Sequence, residues 1–324
     1  MAGESRTTVT VALVANVLVT ITKLTAGIIG GSSAMLSEGA HSIADSVNEC
    51  FLVASVRRSE RPADDRHPFG YGAERFFWSL IAAVGIFLAG GCFSLFEAYR
   101  AFTNPPRAGV WVLEYVVLAL AAVFEGASLA RAVHQMRTEA AAAGRSPLEH
   151  VAKSADPAVK TVTFEDSIAV FGLAVAALGI ALHQLTGTGT WEGVSSVLIG
   201  LLLIFAAVGL ARDNMSLLIG EAVEPGRVAS IEAIIAGHPM VAHVVELLTR
   251  YLGAHEVLVA ARVELVDCLD SDQIEAMSSD IDARLRQSDS EVTQVFIDST
   301  TSEERARIEA GQRDPSDRMA HRRS

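Results

Sequence analysis

The chain opens as a series of long apolar runs broken by short polar joints and closes as a stretch of a different kind. A helix rises about 1.5 Å per residue, so crossing a bilayer takes about 20 mostly apolar residues. Six segments present themselves: 8–29, the weakly hydrophobic 33–56, 76–102, 110–134, 159–185 and 191–211. Asn16 and Lys23 are the strongly polar interruptions of the first; Gly30-Gly31-Ser32 turns into the second, and Asn104-Pro105-Pro106 separates the third from the fourth. From residue 220 the period changes. Residues 227–236 and the amphipathic 271–287 follow a helical pattern, whereas 241–251, 256–266 and 293–298 read as strands. That order, helix-strand-strand-helix-strand, predicts a small α+β sandwich with helices on one face of a sheet. The tail 302–324 mixes charges with few large apolar residues and is expected to be disordered.

Composition supports this division. Half of the 324 residues are hydrophobic and mean hydropathy is +0.34, yet nearly half of the charged residues lie in the last third of the chain, after residue 220. The expected organisation is an all-α six-helix membrane domain over 1–215, a soluble α+β domain over 216–301 and the tail. A net charge of −12 and pI near 5.2 argue against a nucleic-acid partner. Cys50, Cys92 and Cys268 form no CxxC, which argues against a disulfide framework or a thiolate zinc site. No charged n-region with a cleavage site precedes the first apolar run, so it reads as a retained helix. Arg57, Arg58, Arg61, Arg66 and Arg75 follow the second segment; Arg131, Arg137, Arg145, Lys153 and Lys160 lie between the fourth and fifth or at their ends. The loops after the first and fifth carry neither Lys nor Arg. This bias places both termini in the cytoplasm of a multi-pass protein, expected in a bacterial inner membrane.

Candidate chemistry lies in the second segment. Glu38, His41, Asp45 and Glu49 are spaced by three, four and four residues, which puts them on one helical face. Ionisable groups at membrane depth cost about 2.5–3.5 kcal/mol each on insertion scales, so such a stripe asks for a function, and an ion path is the natural one. An imidazole and a carboxylate at i and i+4, His41 and Asp45, suit a borderline cation such as Zn²⁺. Further ligands must come from another helix. Glu165 and Asp166 lie in an apolar setting in the fifth segment, at a depth within about 5 Å of Asp45 by helix rise; the alternative is that they mark the interfacial start of that helix. Glu125, deep in the fourth segment, reads as a proton site or hydrogen-bond partner. Glu97 and Glu114 lie nearer helix ends, where snorkelling to the interface accounts for them.

Two motifs carry a resemblance. The run from Ser37-Glu38 through His41 and Asp45, and Asp64-Asp65-Arg66-His67-Pro68-Phe69-Gly70-Tyr71-Gly72 after it, resemble the cation diffusion facilitators, a family of zinc and other metal/proton antiporters. The continuation from Glu74 to Leu80, with Glu165-Asp166, resembles the branch of the mitochondrial zinc-transporter-nine-like members. The resemblance implies a homodimer, a metal site between the second and fifth membrane helices, and a ferredoxin-like cytoplasmic domain. Three departures matter. The family's common pattern in the fifth helix places Val162 where a first ligand would stand, and Glu165 is the obvious substitute, although one residue along a helix turns by about 100°. Glu49, Asn48, Thr163 or water could complete the shell instead. Tyr71 occupies the place of a second loop histidine, which leaves Asp64 and His67 as loop-structuring residues with an accessory metal role as the alternative. The places of the family's cytoplasmic histidine cluster hold Val245, Arg262, Met277 and Ile297, with His238, His243 and His255 elsewhere.

The expected function is export of a divalent transition metal, Zn²⁺ first, in exchange for protons, with no permanently bound cofactor and no enzyme chemistry. His41 has a reference pKa near working pH, so its protonation can release the metal. Export of Fe²⁺, Mn²⁺ or Co²⁺ is the alternative, because a carboxylate-rich site favours harder ions; a membrane-bound metal sensor is the rival from another class.

Overall fold

The computed structural model describes residues 2–104, 110–142, 157–301 and 305–306. The tail 302–324 therefore lies outside the described residues except at 305–306. The chain divides into two compact units, 1–58 with 75–215, and 59–74 with 216–324.

The first unit holds six long helices among the described residues: α1 (Ala2–Gly30), α2 (Ser33–Ser59), α3 (Glu74–Thr103), α4 (Trp111–Ala142), α5 (Pro157–Thr186) and α6 (Thr190–Ile219), the last reaching into the second unit. Four of them, α3 to α6, contain spans long and apolar enough to cross a membrane; the apolar part of α1 described in full is the shorter Asn16–Gly30. α2 falls outside that test because its polar stripe dilutes its hydropathy, although 27 residues rise about 40 Å. Several helices run past the predicted apolar segments, α6 to Ile219 rather than 211, since hydropathy registers only the lipid-facing part of a helix.

Sequence chemistry sets the joints. Gly31 adopts φ +69°, a conformation that favours glycine, between α1 and α2. Ser32 caps α2: its Oγ accepts from the Met35 amide (3.2 Å) and its carbonyl from Leu36 (3.0 Å). Small residues then let the helices close up. A Cβ at Gly39 would fall 2.5 Å from Leu24 Cδ2, so glycine there lets α2 lie against α1 without displacing the Leu24 side chain. α3 passes through a π-helical stretch, Ile86–Cys92, where Gly90 meets Leu203 of α6 and Ala44 of α2. The surface of this unit is inverted relative to a soluble protein. Leu185 is 82% exposed and Val112 76%, while Lys23, Glu38, His41, Glu114 and Glu192 are all buried. That is the pattern of a bundle solvated by lipid, with its polar groups turned inward.

The second unit contains α7 (Pro225–Ala236), β1 (Val241–Gly253), β2 (Glu256–Leu265), α8 (Ser271–Ser288) and β3 (Val292–Thr300). β1 pairs antiparallel with β2, and β2 pairs parallel with β3 across α8, so β2 is central. Alternation along β2 turns Val257, Val259, Ala261 and Val263 into the core, where Ile231 and Ile235 of α7 and Met277, Ile281 and Leu285 of α8 cover them. α8 begins with a full capping box: Asp270 accepts from the Gln273 amide (2.8 Å), and Gln273 Oε1 accepts from the Asp270 amide (3.0 Å). The loop 59–74 groups with this unit rather than with the membrane domain in which its sequence position puts it. Gly72 lies so near the β1–β2 turn that a Cβ would fall 2.7 Å from the Leu252 carbonyl and 2.8 Å from Gly253 Cα.

Candidate metal centre

The polar stripe of α2 faces inward along its length. Glu38 and His41 are buried, and Asp45 and Glu49 are partly buried. His41 Nε2 lies 3.5 Å from Asp45 Oδ1, the i,i+4 approach that helical geometry sets. α5 comes close at this level because it carries glycine there: a Cβ at Gly172 would collide with Glu38 Oε1 and stand 3.8 Å from His41 Nδ1.

Toward the other end of the stripe a cavity of about 150 Å³ opens between α1, α2, α4 and α5. Asp45 and Glu49 of α2, Glu125 of α4, and Glu165 and Asp166 of α5 line it, with Asn16, Ser42, Asn48 and Ser128. Asn48 Nδ2 donates to both Glu165 carboxylate oxygens (3.0 Å each), and Asn16 Nδ2 donates to Glu49 Oε1 (2.5 Å). Glu49 Oε2, Glu125 Oε2 and Asp166 Oδ2 are buried without a hydrogen-bond partner. Carboxylates sharing a low-dielectric cavity repel one another unless cations neutralise them, and such bare oxygens are what an incoming cation would use.

The structure thus brings Asp45, Glu49, Glu125, Glu165 and Asp166 to one cavity. His41 does not line it but stands one turn away beside Asp45. Among the described residues no three His, Cys, Asp or Glu side chains are grouped tightly enough to hold a metal as they stand. The side chains of Val162 and Thr163 lie outside the described residues.

Lys23, met in the sequence only as an interruption, proves to be an inner cation. It is fully buried and its ammonium donates to Glu125 Oε1 (2.6 Å), Ser42 Oγ (3.0 Å) and Glu38 Oε2 (3.1 Å), tying α1 to α2 and α4. A lysine mid-way along an apolar run is itself a signal of an inward partner. Glu114 corrects an expectation: it is fully buried and does not snorkel. Glu97 is also buried, but it pairs with the more exposed Arg100 (2.8 Å).

Asp64 and His67 belong to the other unit and build a loop. Asp64 Oδ1 accepts from the amides of His67 (2.8 Å) and Arg66 (3.0 Å), and Oδ2 accepts from the Tyr71 hydroxyl (2.7 Å). The Tyr71 hydrogen bond, with those amides, holds the exposed Asp64 carboxyl down at about 2, and the same bond raises the Tyr71 phenol. The His67 ring packs at a tilt against Tyr71, with centroids 4.3 Å apart. In the sheet domain, Arg262 bridges Asp298 (2.8 Å) and Glu246 (3.5 Å), His238 contacts Asp280 (3.3 Å), and His255 contacts Glu291 (3.0 Å).

Residues 9–219 match the cation efflux transmembrane domain family. The chain is 32% identical over 256 residues to the proton-coupled zinc antiporter SLC30A9 of Xenopus laevis, a mitochondrial protein, covering 79% of this chain and 46% of that one. It is 34% identical over 222 residues to metal tolerance protein C4 of Arabidopsis thaliana, covering 68% and 48%. The manganese efflux system protein MneP of Bacillus subtilis is 23% identical over 299 residues, covering 90% and 95%. The chain therefore spans about half the length of the first two relatives. With a match over most of its length and an acid-lined cavity between apolar helices, the chain belongs to the cation efflux, or cation diffusion facilitator, family of membrane transporters.

Proposed function

We propose that this protein exports a divalent transition metal, Zn²⁺ first, from the cytoplasm in exchange for protons. The observation that carries the reading is the cavity in which carboxylates from α2, α4 and α5 face one another with bare, buried oxygens. A set of acids in low dielectric accepts either one dication or protons, and swapping the two is antiport chemistry. The ligands are His41, Asp45, Asp166 and Glu165. His41 joins by a modest shift toward the Asp45 side of the cavity, and Glu165 by giving up Asn48 for the metal. Glu49 and Glu125 serve as proton carriers beside them. α1 to α6 cross the membrane six times, with both termini on the cytoplasmic side, as the basic residues after α2 and around the α4–α5 joint favour. The membrane we assign it to is a bacterial plasma membrane. The second unit is ferredoxin-like and joins two copies of the chain through the sheet face opposite its helices, where Leu248 and Phe296 are exposed.

One observation favours a harder substrate. Among the described residues the cavity wall is oxygen-rich and holds no imidazole, which suits Mn²⁺ or Fe²⁺. Uptake into proteoliposomes across a panel of Zn²⁺, Mn²⁺, Fe²⁺ and Co²⁺, with and without a pH gradient, decides both questions. Gradient-dependent Zn²⁺ flux upholds the proposal, gradient-dependent flux of Mn²⁺ or Fe²⁺ alone selects the second reading, and metal flux indifferent to the gradient removes antiport.

A further inference from the structure

A second buried polar cluster lies at the end of the bundle where α1 hands over to α2, away from the cavity. Glu192, near the start of α6, is held from two sides: Ser32 Oγ donates to Oε2 (2.5 Å), and His183 Nδ1 near the end of α5 contacts Oε1 (2.5 Å). Trp111 of α4 packs edge-on to the His183 ring at 4.9 Å. One turn along α4, Glu114 is fully buried against Gly30, close enough to Glu192 for the two carboxyls to interact, and among the described residues neither of its oxygens has a hydrogen-bond partner. Gly30 is what makes room, since a Cβ there would collide with Glu114 Oε1.

A buried carboxylate with no donor must be neutralised by a proton or by a cation. Among the described residues, the groups facing Glu114 supply no cation of their own. α6 offers Glu192, already engaged at both oxygens; α5 offers His183, turned to Glu192, and Gln184, which accepts from Tyr115 (3.4 Å); the α1–α2 turn offers Ser32, also turned to Glu192. Glu97 on α3 is paired with Arg100. A metal is disfavoured, because Glu192 already accepts from Ser32 at one oxygen and meets His183 at the other, which leaves Glu114 alone to hold one. A proton fits.

We propose that Glu114, flanked by the Ser32–Glu192–His183 chain, is a proton-binding site at this end of the bundle, serving the counter-transported proton. The proposal rests on the antiport reading. Glu114 and Glu125 are eleven residues apart on α4, close to three full turns, so they share a face about 16 Å apart. The buried hydroxyls of Ser33 and Ser37 lead from the Ser32 turn toward Glu38, which Lys23 links to Glu125 at the cavity. The site therefore lies on a polar line between one membrane face and the ion cavity. In the exchange, the Glu114 carboxylate takes a proton from water at that face and yields it as a carboxylic acid to the line; no other bond is made or broken.

The test uses the full chain in proteoliposomes with Zn²⁺ as the probe. Infrared difference spectra across neutral pH should contain the carbonyl band of a protonated carboxyl, lost in Glu114→Gln, retained in Glu114→Asp and shifted along the pH axis in Glu192→Gln. The ratio of protons to Zn²⁺ moved should fall in Glu114→Gln and recover in Glu114→Asp, whereas a purely structural role would lower both fluxes at a constant ratio. An unchanged ratio, an absent band, or the loss of one bound Zn²⁺ per chain in Glu114→Gln would each overturn the site. A wild-type protein that moves Zn²⁺ without protons would sink the antiport reading instead, and the infrared titration alone would then decide the proton site.

Discussion

The two units of this chain solve the same packing problem with opposite materials. In the sheet domain the core is aliphatic, Val257, Val259 and Val263 under Ile281 and Leu285, while Arg262, Asp298 and Glu246 trade charges at the surface. In the helical unit the apolar residues Leu185, Val112 and Phe205 point outward, and Lys23 meets Glu38 and Glu125 inside. Water makes burial of apolar area the driving force in the first case. Lipid tails provide no such force, so small-residue contacts and polar pairs must specify the second. The same lesson bears on the proposed function: polar groups that would be costly in the sheet domain's core are grouped inside the membrane unit, where the proposed transport gives them a use.

The hardest break of this contrast targets the inward acids. His41→Ala, Asp45→Ala and Asp166→Ala should each bring metal flux in proteoliposomes down to the level of empty vesicles while leaving the detergent-extracted protein folded. Glu165→Gln should lose affinity almost as severely as Asp166→Asn, since Gln keeps the size and an acceptor but not the charge. Wild-type flux by any one of them at limiting metal removes that residue from the ligand set.

A smaller but still large effect should follow from Lys23→Met. It leaves Glu38 and Glu125 buried without their shared cation, a change that costs about 3–5 kcal/mol when one partner of a buried ion pair is removed. Thermal unfolding in detergent measures it, and adding Glu38→Gln should return part of the loss. In the sheet domain the corresponding lesion is apolar: Ile281→Ala should cost about 2–5 kcal/mol, read by denaturant unfolding of residues 216–301, and no second-site charge change should rescue it.

Part of this was open to reading from the chain alone. The stripe Glu38, His41, Asp45, Glu49 declares itself because helical periodicity is local, and Glu165-Asp166 because acids in an apolar run are rare. The alternation of β2 is equally local. Partnerships between distant segments were not legible. Lys23 and Glu125 are 102 residues apart, and nothing in either helix says they touch. Glu114 looked like an end-of-helix acid because whether such a residue snorkels or buries is set by the neighbouring helix, here by the vacancy at Gly30. The attachment of loop 59–74 to the sheet domain rests on the fit of Gly72 to Leu252 and Gly253, again a property of two surfaces.

The smallest expected effect lies in that loop. The Asp64 carboxyl is held at about 2 in the folded protein, below its ordinary value of about 3.9. A depressed carboxyl contributes order that is present above the ordinary value and lost as pH falls through the folded one. The protection of the Arg66 and His67 amides, relative to their free exchange rate at each pH, should therefore hold down to about pH 4 and fall toward pH 2. Asp64→Asn should remove that pH dependence without altering the membrane unit.

The central claim is that the transported ion binds between α2 and α5. Anomalous scattering at the zinc absorption edge, from crystals of the full chain grown with Zn²⁺, tests it most directly. The account predicts a peak within bonding distance of Asp45 and Asp166, with His41 and Glu165 drawn in. Full zinc occupancy elsewhere, with the cavity of Asp45 and Asp166 holding none, would contradict it.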